Sequence, residues 1–414
     1  MLFNSNDFLG FFAVFLALYY LLRHWLGARN LLIVIASYVF YGWWDYRFAG
    51  LLLLTSVLDF TLALGIDRSS SATQRRALLI ASATLNLSVL FLFKYFDFFE
   101  ESFAAMLGQF GVKSHWRGLH LILPVGVSFY TFQSLGYVIE VYRGQFPACR
   151  NLVRFLAFVS FFPHLIAGPI QRAATLLPQF SQRLVITRAQ IEEGLWLLLW
   201  GMFKKVALAD NFAPLVELVY QHPTTSGPMI ALGTVAFALQ IYCDFSGYSD
   251  IARGAARLLG IEIMFNFNLP YSATSLRDFW RRWNISLSSW LRDYLYVSLG
   301  GNRRGRYRTY LNLMLTMLLG GLWHGAAATF LLWGLWHGVG LAVNRWWQER
   351  DWRSRALPTG LAWGLTMLFA LYGWLLFRAD SLDQVLALTR ALANPAMPAW
   401  WKPFLANLLV LATP

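Results

Sequence analysis

His324 is the residue of this sequence whose type and surroundings most strongly indicate chemistry. It lies between two apolar stretches, Tyr310–Trp323 and Ala326–Trp336. An ionisable side chain at membrane depth costs a few kcal/mol, so its presence there indicates work as a base, a proton relay or an ion site. Glycines flank the histidine on both sides, and a glycine backbone allows a ligand to approach closely. The alternative is a buried histidine that only hydrogen-bonds between helices.

The four-residue motif around this histidine occurs twice, at Leu322–Gly325 and Leu335–Gly338, so His337 follows His324 by 13 residues. On a straight helix that turns by about 100° per residue, the two imidazoles point to nearly opposite sides. They form one site only if the chain breaks between them. We treat Trp323 and His337 as candidate substrate-binding residues, although ordinary packing explains His337 equally well.

A second polar group of residues lies in the amphipathic string Arg277–Tyr294. If the string is a single helix, five polar side chains share one face, at spacings of three or four residues: Arg277, Arg281, Asn284, Ser288 and Arg292. A polar face between spans is expected to point into the protein or a wet cavity. We take Asn284 as a catalytic candidate and Arg281 and Ser288 as substrate-binding candidates. The alternative is an amphipathic helix at the membrane surface.

The formal net charge of +13 favours a negatively charged partner or surface. Its densest cluster, Gly301–Arg308, forms a short connection between two apolar runs. Within it, Arg303 and Arg304 are candidates for binding the phosphates of a coenzyme substrate, since guanidinium groups match phosphate geometry. The enrichment of basic residues in cytoplasmic loops and near anionic headgroups explains most of the charge without a substrate. No nucleic-acid-binding motif accompanies it, so nucleic acid is not an expected partner.

The sequence lacks the motifs of several other reaction classes. Its two cysteines, Cys149 and Cys243, have no second cysteine or histidine beside them of the kind that a zinc site requires. No His-Glu-x-x-His, phosphate-binding glycine loop or Gly-x-Ser-x-Gly string occurs. We therefore expect no metal site, no tightly bound cofactor, and neither hydrolase nor ATPase chemistry.

These residues belong to a chain with the composition of a membrane protein. Hydrophobic residues make up 57% of it and charged residues 13%, against about 25% charged in soluble domains. We predict an all-α polytopic membrane protein, one domain over residues 1–414. It is expected to form a bundle of roughly 11–14 transmembrane and re-entrant helices around a central catalytic funnel or pore. The predicted helices are Asp7–Leu22, Asn30–Trp44, Phe48–Leu64, Ala77–Tyr95, Leu119–Tyr142, Leu152–Ala167, Ile191–Leu208, Met229–Cys243, Ser246–Ile263, Phe279–Leu299, Tyr310–Leu322, Ala326–Val343, Thr359–Phe377 and one beginning near Phe404.

Basic residues in the connections orient the predicted spans. Cytoplasmic loops are enriched in Lys and Arg. The first connection carries Arg23 and Arg29, and the third carries Arg68, Arg75 and Arg76. We therefore expect Met1 to face outward. No basic segment or small-residue cleavage site marks a removable signal, so we expect the first apolar run to remain as a span.

Three further strings combine polar groups with helix-breaking residues: Leu123–Gln133, Phe162–Ile170 and Asp244–Asp250. Broken helices with polar groups line cavities and substrate paths in membrane proteins. Ordinary kinks have the same sequence pattern, so both interpretations stay open. We expect the two carboxylates of the third string to lie in a connection between spans.

Nine strings along nearly the whole chain carry a family resemblance: Met1–Ser5, Ala36–Tyr41, Leu123–Tyr137, Phe162–Ile170, Lys204-Lys205, Asp244–Asp250, Asp278–Asn302, Met317–Ala326 and Phe377–Asp380. On these strings the chain resembles the membrane-bound O-acyltransferase superfamily. Within it, the chain is most similar to the branch of the membrane subunits of bacterial alginate O-acetylation. Members of that branch usually continue with further helices past a point like Pro414, so a shortened chain is one expectation.

The resemblance implies acyl transfer inside a helical bundle. The histidine of the family matches His324, and a second family position, His or Asn according to the branch, matches Asn284. The alginate branch usually has His there, whereas this chain has Asn, which holds a carbonyl group or a water rather than acting as a base. A neutral imidazole, with an unperturbed pKa of about 6.5, suits a general base for hydroxyl attack on a thioester.

The implied function is a membrane O-acetyltransferase of the bacterial inner membrane. Acetyl would pass from cytoplasmic acetyl-CoA across the membrane to an exported polysaccharide such as alginate, or to a periplasmic SGNH-type acetyltransferase that relays it. We favour the relay because the chain has no soluble domain large enough to hold a polymer. Membrane lipids complete the expected partners, and the final acceptor stays open among alginate, cellulose and peptidoglycan. A transporter or flippase of a polysaccharide secretion system, or a purely structural membrane subunit, is the alternative.

Overall fold

The computed structural model describes residues 1–111, 118–221, 226–350 and 357–396. Within these ranges every regular element is helical, as the sequence predicts. The helix expected to begin near Phe404 lies outside the described residues. In chain order the helices are α1 (Asn6–Leu22), α2 (Leu26–Gly42), α3 (Tyr46–Arg68), α4 (Ala72–Leu90), α5 (Phe96–Gln109), α6 (Val127–Tyr142), α7 (Leu152–Ser160), α8 (Phe162–Leu165), α9 (Ala173–Leu176), α10 (Arg188–Met202), α11 (Asp210–Gln221), α12 (Gly227–Leu258), α13 (Leu276–Arg282), α14 (Ile285–Trp290), α15 (Arg306–His324), α16 (Ala328–Glu349), α17 (Thr359–Arg378) and α18 (Leu382–Ala391).

Among the described residues, four helices are long and apolar enough to cross a membrane. They are α3, the continuous helix Ala72–Gln109 that α4 and α5 form together, α12 and α17. Helices α1 and α2 are also apolar but have 17 residues each, close to the minimum for a span. The chain is thus a polytopic helical membrane protein. The full number of spans, the single domain and the central funnel stay predictions.

Several predicted boundaries differ from the structure. The two spans predicted at Met229–Cys243 and Ser246–Ile263 are wrong as separate elements, because both fall largely within the single 32-residue helix α12. The span predicted at Leu119–Tyr142 becomes helical only in α6, after Gly126, whose φ of 79° lies in the left-handed region. The span predicted at Leu152–Ala167 is divided into α7 and α8. A hydropathy pattern identifies apolar segments, but it does not show where a helix is interrupted.

The backbone forms two compact units, and the first contains Met1–Lys204, Phe245–Pro270 and Arg277–Asn312. In this unit α3 packs against α4, α6 and α7, and α2 packs against α7 and α8. Phe162 of α8 anchors the broken segment to α1 and α2, with its ring centroid 5.1 Å from that of Phe15 and 5.4 Å from that of Phe40. This aromatic packing fixes the segment that continues toward Ile170.

The second unit contains Lys205–Asp244, Tyr271–Leu276 and the described residues from Leu313 onward. Here α16 packs against α17 and α18. Trp336 joins α16 to α17, since its ring stacks on that of Phe369 at 4.4 Å and its Nε1 donates to the Phe369 carbonyl at 3.0 Å. A Cβ at Gly340 would lie 2.3 Å from the Phe369 ring, so glycine is needed for this close approach. The α16–α17 pair supports the residues around His324.

Candidate active site

His324 is the last residue of α15 and lies half-buried among aromatic rings. Its ring centroid is 5.1 Å from those of both Trp333 and Phe377, and both rings meet the imidazole at a steep angle, near 80°. The neighbouring Trp323 ring lies 5.0 Å away in a similar orientation. Edge-to-face packing of this kind is a favoured arrangement of aromatic rings. Three aromatic rings therefore border the imidazole of His324.

His337 belongs to the same cluster of side chains as His324. Helix α15 ends at His324 and α16 begins at Ala328, so the chain breaks between the two histidines, as a shared site requires. His337 is buried, and its ring centroid lies 4.7 Å from that of Trp333. Both imidazoles thus contact one indole ring. A substrate-binding role for His337 and Trp323 stays a prediction.

The glycines near His324 serve the packing of α15 against α16. A Cβ at Gly321 would lie 2.2 Å from the Phe330 carbonyl oxygen, and one at Gly334 would lie 2.5 Å from the Met317 carbonyl oxygen. At Gly325 an added Cβ would lie 2.2 Å from the Phe330 ring. The sequence predicts that a ligand approaches the backbone here. In the structure, the space over Gly325 is instead filled by Phe330.

In the first unit, Asn284 lies at a break in the backbone rather than on a continuous helix. Helix α13 ends at Arg282 and α14 begins at Ile285, with Asn284 between them at φ 41° and ψ 57°. The prediction of one polar helical face through Arg281, Asn284 and Ser288 is therefore wrong. A left-handed residue reverses the direction of the chain, and Asn, Asp and His are enriched in that conformation.

The side chain of Asn284 is buried, with 2% of its surface exposed. Within the described part of the chain, its Oδ1 has no hydrogen-bond partner. Native structures pair nearly all buried polar atoms, so an unpaired buried acceptor is a feature of sites that receive a ligand or a water. Asn284 therefore presents an amide oxygen that is able to accept a hydrogen bond from a bound group.

Asn266 lies in a neighbouring non-helical segment and forms hydrogen bonds with the backbone at this break. Its carbonyl oxygen accepts from the Ile285 N–H at 2.9 Å, and its Oδ1 accepts from the Ser286 N–H at 3.2 Å. Its Nδ2 donates to Ser249 Oγ at 3.4 Å, and Asn266 is itself 1% exposed. Sequence periodicity gives no sign of Asn266, because this residue lies in a string without a helical pattern. An asparagine pair between two amphipathic segments, at 266 and 268, is the signal available there.

The string Phe162–Ile170 also reaches this break. The Ile170 N–H donates to Ser286 Oγ at 2.9 Å, and Gln171 Oε1 accepts from the Met264 N–H at 3.1 Å. Three non-helical segments thus converge around Asn284 inside the first unit. Non-helical backbone at membrane depth occurs only where protein or a cavity surrounds it. This convergence favours a functional interpretation of the broken string, which the sequence leaves open.

The remaining candidates have less specialised surroundings. Arg281 is exposed, and Ser288 Oγ donates to the Trp283 carbonyl at 3.1 Å, which caps the backbone at the break. Arg303 and Arg304 are exposed on the loop before α15. That loop is held by Asn312, whose Nδ2 donates to the Gly301 carbonyl at 2.9 Å. The two arginines are accessible to a soluble anion.

Asp244 and Asp250 lie inside α12, which corrects the prediction that they occupy a connection. Lys204 Nζ is 2.6 Å from Asp250 in the first unit, and Lys205 Nζ is 2.6 Å from Asp244 in the second. Each carboxylate is thus paired with a lysine, and α12 continues through both. Across the described ranges, no three His, Cys, Asp or Glu side chains group as metal ligands would.

Comparison with known proteins gives these residues a family context. The sequence profile of the membrane-bound O-acyltransferase family matches residues 149–382. A probable alginate O-acetylase of Azotobacter vinelandii is 47% identical over 392 residues, covering 92% of this chain and 76% of the relative. Its counterpart in Pseudomonas aeruginosa is 46% identical over 392 residues, covering 92% and 73%. A peptidoglycan O-acetyltransferase of Helicobacter pylori is 35% identical over 428 residues, covering 95% and 80%.

The helical membrane fold and these relatives define an enzyme of acyl transfer. The chain belongs to the membrane-bound O-acyltransferase family. It is a membrane O-acyltransferase, and His324 and Asn284 both lie within the matched residues 149–382. The relatives are named as acyl-transferring enzymes, which gives no support to the transporter or flippase alternative.

Proposed function

We propose that this chain transfers acetyl from cytoplasmic acetyl-CoA to a hydroxyl acceptor on the outer side of the bacterial inner membrane. The observation that carries the proposal is the setting of His324. A single imidazole ends a helix between apolar segments and is enclosed by aromatic rings. The extent of the match to alginate O-acetylases supports acetyl as the transferred group.

In the proposed step, His324 acts as general base. Its imidazole takes the proton of the acceptor hydroxyl while that oxygen attacks the thioester carbonyl carbon. The new C–O bond forms, the C–S bond breaks, and the leaving thiolate takes the proton from the imidazolium. A thioester is already activated, so the step requires no covalent enzyme intermediate.

Asn284 is proposed to orient a reacting group rather than to transfer protons. An amide has no useful acid–base chemistry near neutral pH, but it donates and accepts hydrogen bonds in fixed directions. Its buried Oδ1, which lacks a partner in the described residues, suits an acceptor hydroxyl or a water. Arg281, Ser288, Trp323 and His337 are proposed to line the paths of the substrates.

The donor is proposed to approach the loop that carries Arg303 and Arg304. Acetyl-CoA bears several phosphate charges, and exposed guanidinium groups attract and bind phosphates. This loop is proposed to face the cytoplasm, in agreement with the enrichment of basic residues in cytoplasmic connections. The same orientation directs Met1 toward the periplasm.

The final acceptor is proposed to be an exported polysaccharide, with alginate favoured by the two relatives named as alginate O-acetylases. Peptidoglycan is the second candidate, because a relative that covers 95% of this chain is named a peptidoglycan O-acetyltransferase. We propose that a periplasmic SGNH-type acetyltransferase receives the acetyl group on a serine and passes it to the sugar. Positioning a polymer takes a groove, and no sizeable soluble domain that would supply one is present among the residues that the structure describes.

Reconstitution tests the proposal. The purified chain is inserted into lipid vesicles with acetyl-CoA, and thiol release is measured with alginate, peptidoglycan fragments, or either glycan plus the SGNH-type partner. Thiol release that depends on the partner supports the relay, and acetylated glycan identifies the acceptor. Efficient acetylation of a glycan without a second protein would refute the relay but leave the transferase. No thiol release with any acceptor, from folded protein, would refute the proposed function itself.

A further inference from the structure

The rings around His324 fall into two groups by their contact with the imidazole. Trp333 and Phe377 touch it at a steep angle, at 5.1 Å between centroids. Phe330 is farther away at 6.5 Å, nearly parallel to the imidazole, and packs on Phe377 at 4.9 Å. Trp323 lies equally close, at 5.0 Å, so three rings contact the histidine directly, whereas Phe330 lies farther out.

Phe330 holds its place through the backbone of the helix break. Its ring fills the space over Gly325, where an added Cβ would lie 2.2 Å from Cε2. Its carbonyl oxygen is equally close to the position of a Cβ at Gly321. A ring packed so closely against backbone has little room to move aside. The Phe330 ring is thus held in a fixed position near His324 and bounds the space on that side.

The geometry of acyl transfer sets how far this ring is from the reacting group. A general base lies within about 3 Å of the hydroxyl oxygen whose proton it removes. Before the reaction, that oxygen lies about 3–3.5 Å from the thioester carbonyl carbon. The acyl carbons beyond the carbonyl therefore lie roughly 6 Å or more from the base. Phe330 occupies that distance range around His324.

We propose that Phe330 limits the size of the acyl group that this enzyme transfers. The inference rests on the proposed function, and in particular on His324 as the base. With the ring in place, a two-carbon acyl group fits beside the imidazole and a longer chain meets the Phe330 ring. Removing ring atoms opens space for three- and four-carbon acyl groups. Trp333 and Phe377 are unsuited to this test, because truncating either one also removes direct support from the base.

The test is a graded series, Phe330→Leu, Phe330→Val and Phe330→Ala, measured with acetyl-, propionyl- and butyryl-CoA. The readout is the ratio of kcat/KM for propionyl-CoA to that for acetyl-CoA. One methylene in an apolar pocket changes such a ratio by roughly 10–200-fold. We expect the ratio to rise at least about tenfold in Phe330→Ala, with smaller rises in Phe330→Leu and Phe330→Val. Phe330→Trp should lower acetyl transfer.

Tyr372→Ala is the matched control. It removes a ring of similar size from the same unit, and that ring packs on Trp336. Its donor ratio should equal that of the wild type. An unchanged ratio in any active Phe330 variant overturns the proposal, as does loss of all three donors in the mild Phe330→Leu variant. A wild-type protein inactive with acetyl-CoA would instead refute the proposed function.

Discussion

Family resemblance assigns two residues to the reaction, His324 and Asn284, and the structure gives them different surroundings. Aromatic rings enclose the imidazole of His324, at centroid distances of 5.0 and 5.1 Å. Hydrogen bonds hold the backbone around Asn284, from Asn266 on one side and from the hydroxyl of Ser288 on the other. Aromatic rings surround the first residue, and hydrogen bonds hold the backbone on both sides of the second.

This difference determines how each region should respond to substitution. Ring packing is non-directional and depends on volume, so changes near His324 should act through space gained or lost. Hydrogen bonds are directional, so changes near Asn284 should act through a single donor or acceptor while volume matters less.

Replacing His324 should have the largest effect, since no other group is proposed to take the proton. His324→Ala is expected to lower acetyl transfer by at least about a hundredfold, the low end for loss of general-base catalysis. Thiol release from acetyl-CoA in vesicles measures the loss. His324→Gln keeps a polar side chain of similar size without a base and should be equally inactive. Near-normal transfer by well-expressed His324→Ala protein would contradict the assignment.

Replacing Asn284 should have a smaller effect that depends on the conformation of the backbone. Asn284→Ala is expected to lose roughly ten- to hundredfold in kcat, the range for one hydrogen bond to a group that develops charge. Asn284→His should keep part of the activity, because His also tolerates a φ of 41° and the family resemblance implies His at this position in the alginate branch. Asn284→Val should lose stability as well, since β-branched residues disfavour positive φ. An inactive but folded Asn284→His protein would count against a shared role at this position.

The candidate residues differ in how far the sequence predicts their surroundings. His324 stands out because a polar residue interrupts an apolar run, and a pattern of composition is enough to find it. The surroundings of Asn284 depend on a left-handed backbone at 284, which periodicity does not reveal, since a helical projection assumes a continuous helix. Asn266 acts through backbone N–H groups 19 and 20 positions away, a distance over which no spacing rule operates.

The fold, like the site, has features that the sequence predicts and features that it does not. Apolar length predicts the helical membrane class and most of the helices. It fails at α12, where two lysines neutralise carboxylates that otherwise indicate a connection. It also fails at α6, where Gly126 delays the start of the helix. Tertiary pairing and single backbone angles determine these boundaries, and neither appears in a hydropathy pattern.

Substitutions at Asn266 test whether hydrogen bonds position the backbone around Asn284. Asn266→Ala removes the Oδ1 that accepts from Ser286 N–H, and we expect kcat to fall by about five- to tenfold with little change in KM. Asn266→Asp keeps that acceptor and should retain more activity than Asn266→Ala. Asn268→Ala is the matched control, because Asn268 is exposed and meets Arg282 through its backbone. Equal losses in Asn266→Ala and Asn268→Ala would argue against a positioning role.

The smallest effect is expected at Arg303 and Arg304, which lie in neither of the two compared regions. Replacing both with Gln should raise the KM for acetyl-CoA a few-fold and leave kcat unchanged, because exposed charges act on encounter more than on chemistry. The difference in KM between this variant and the wild type should shrink as ionic strength rises from about 0.01 to 0.15 M, since the Debye length falls from about 30 to 8 Å.

The control replaces Arg68 and Arg76, which are also exposed and are predicted to face the same side of the membrane. An equal rise in KM in that control would show that net charge, rather than this loop, attracts the donor. A cysteine at position 303 that reacts with an impermeant reagent outside intact cells would overturn the cytoplasmic placement, and the donor role with it.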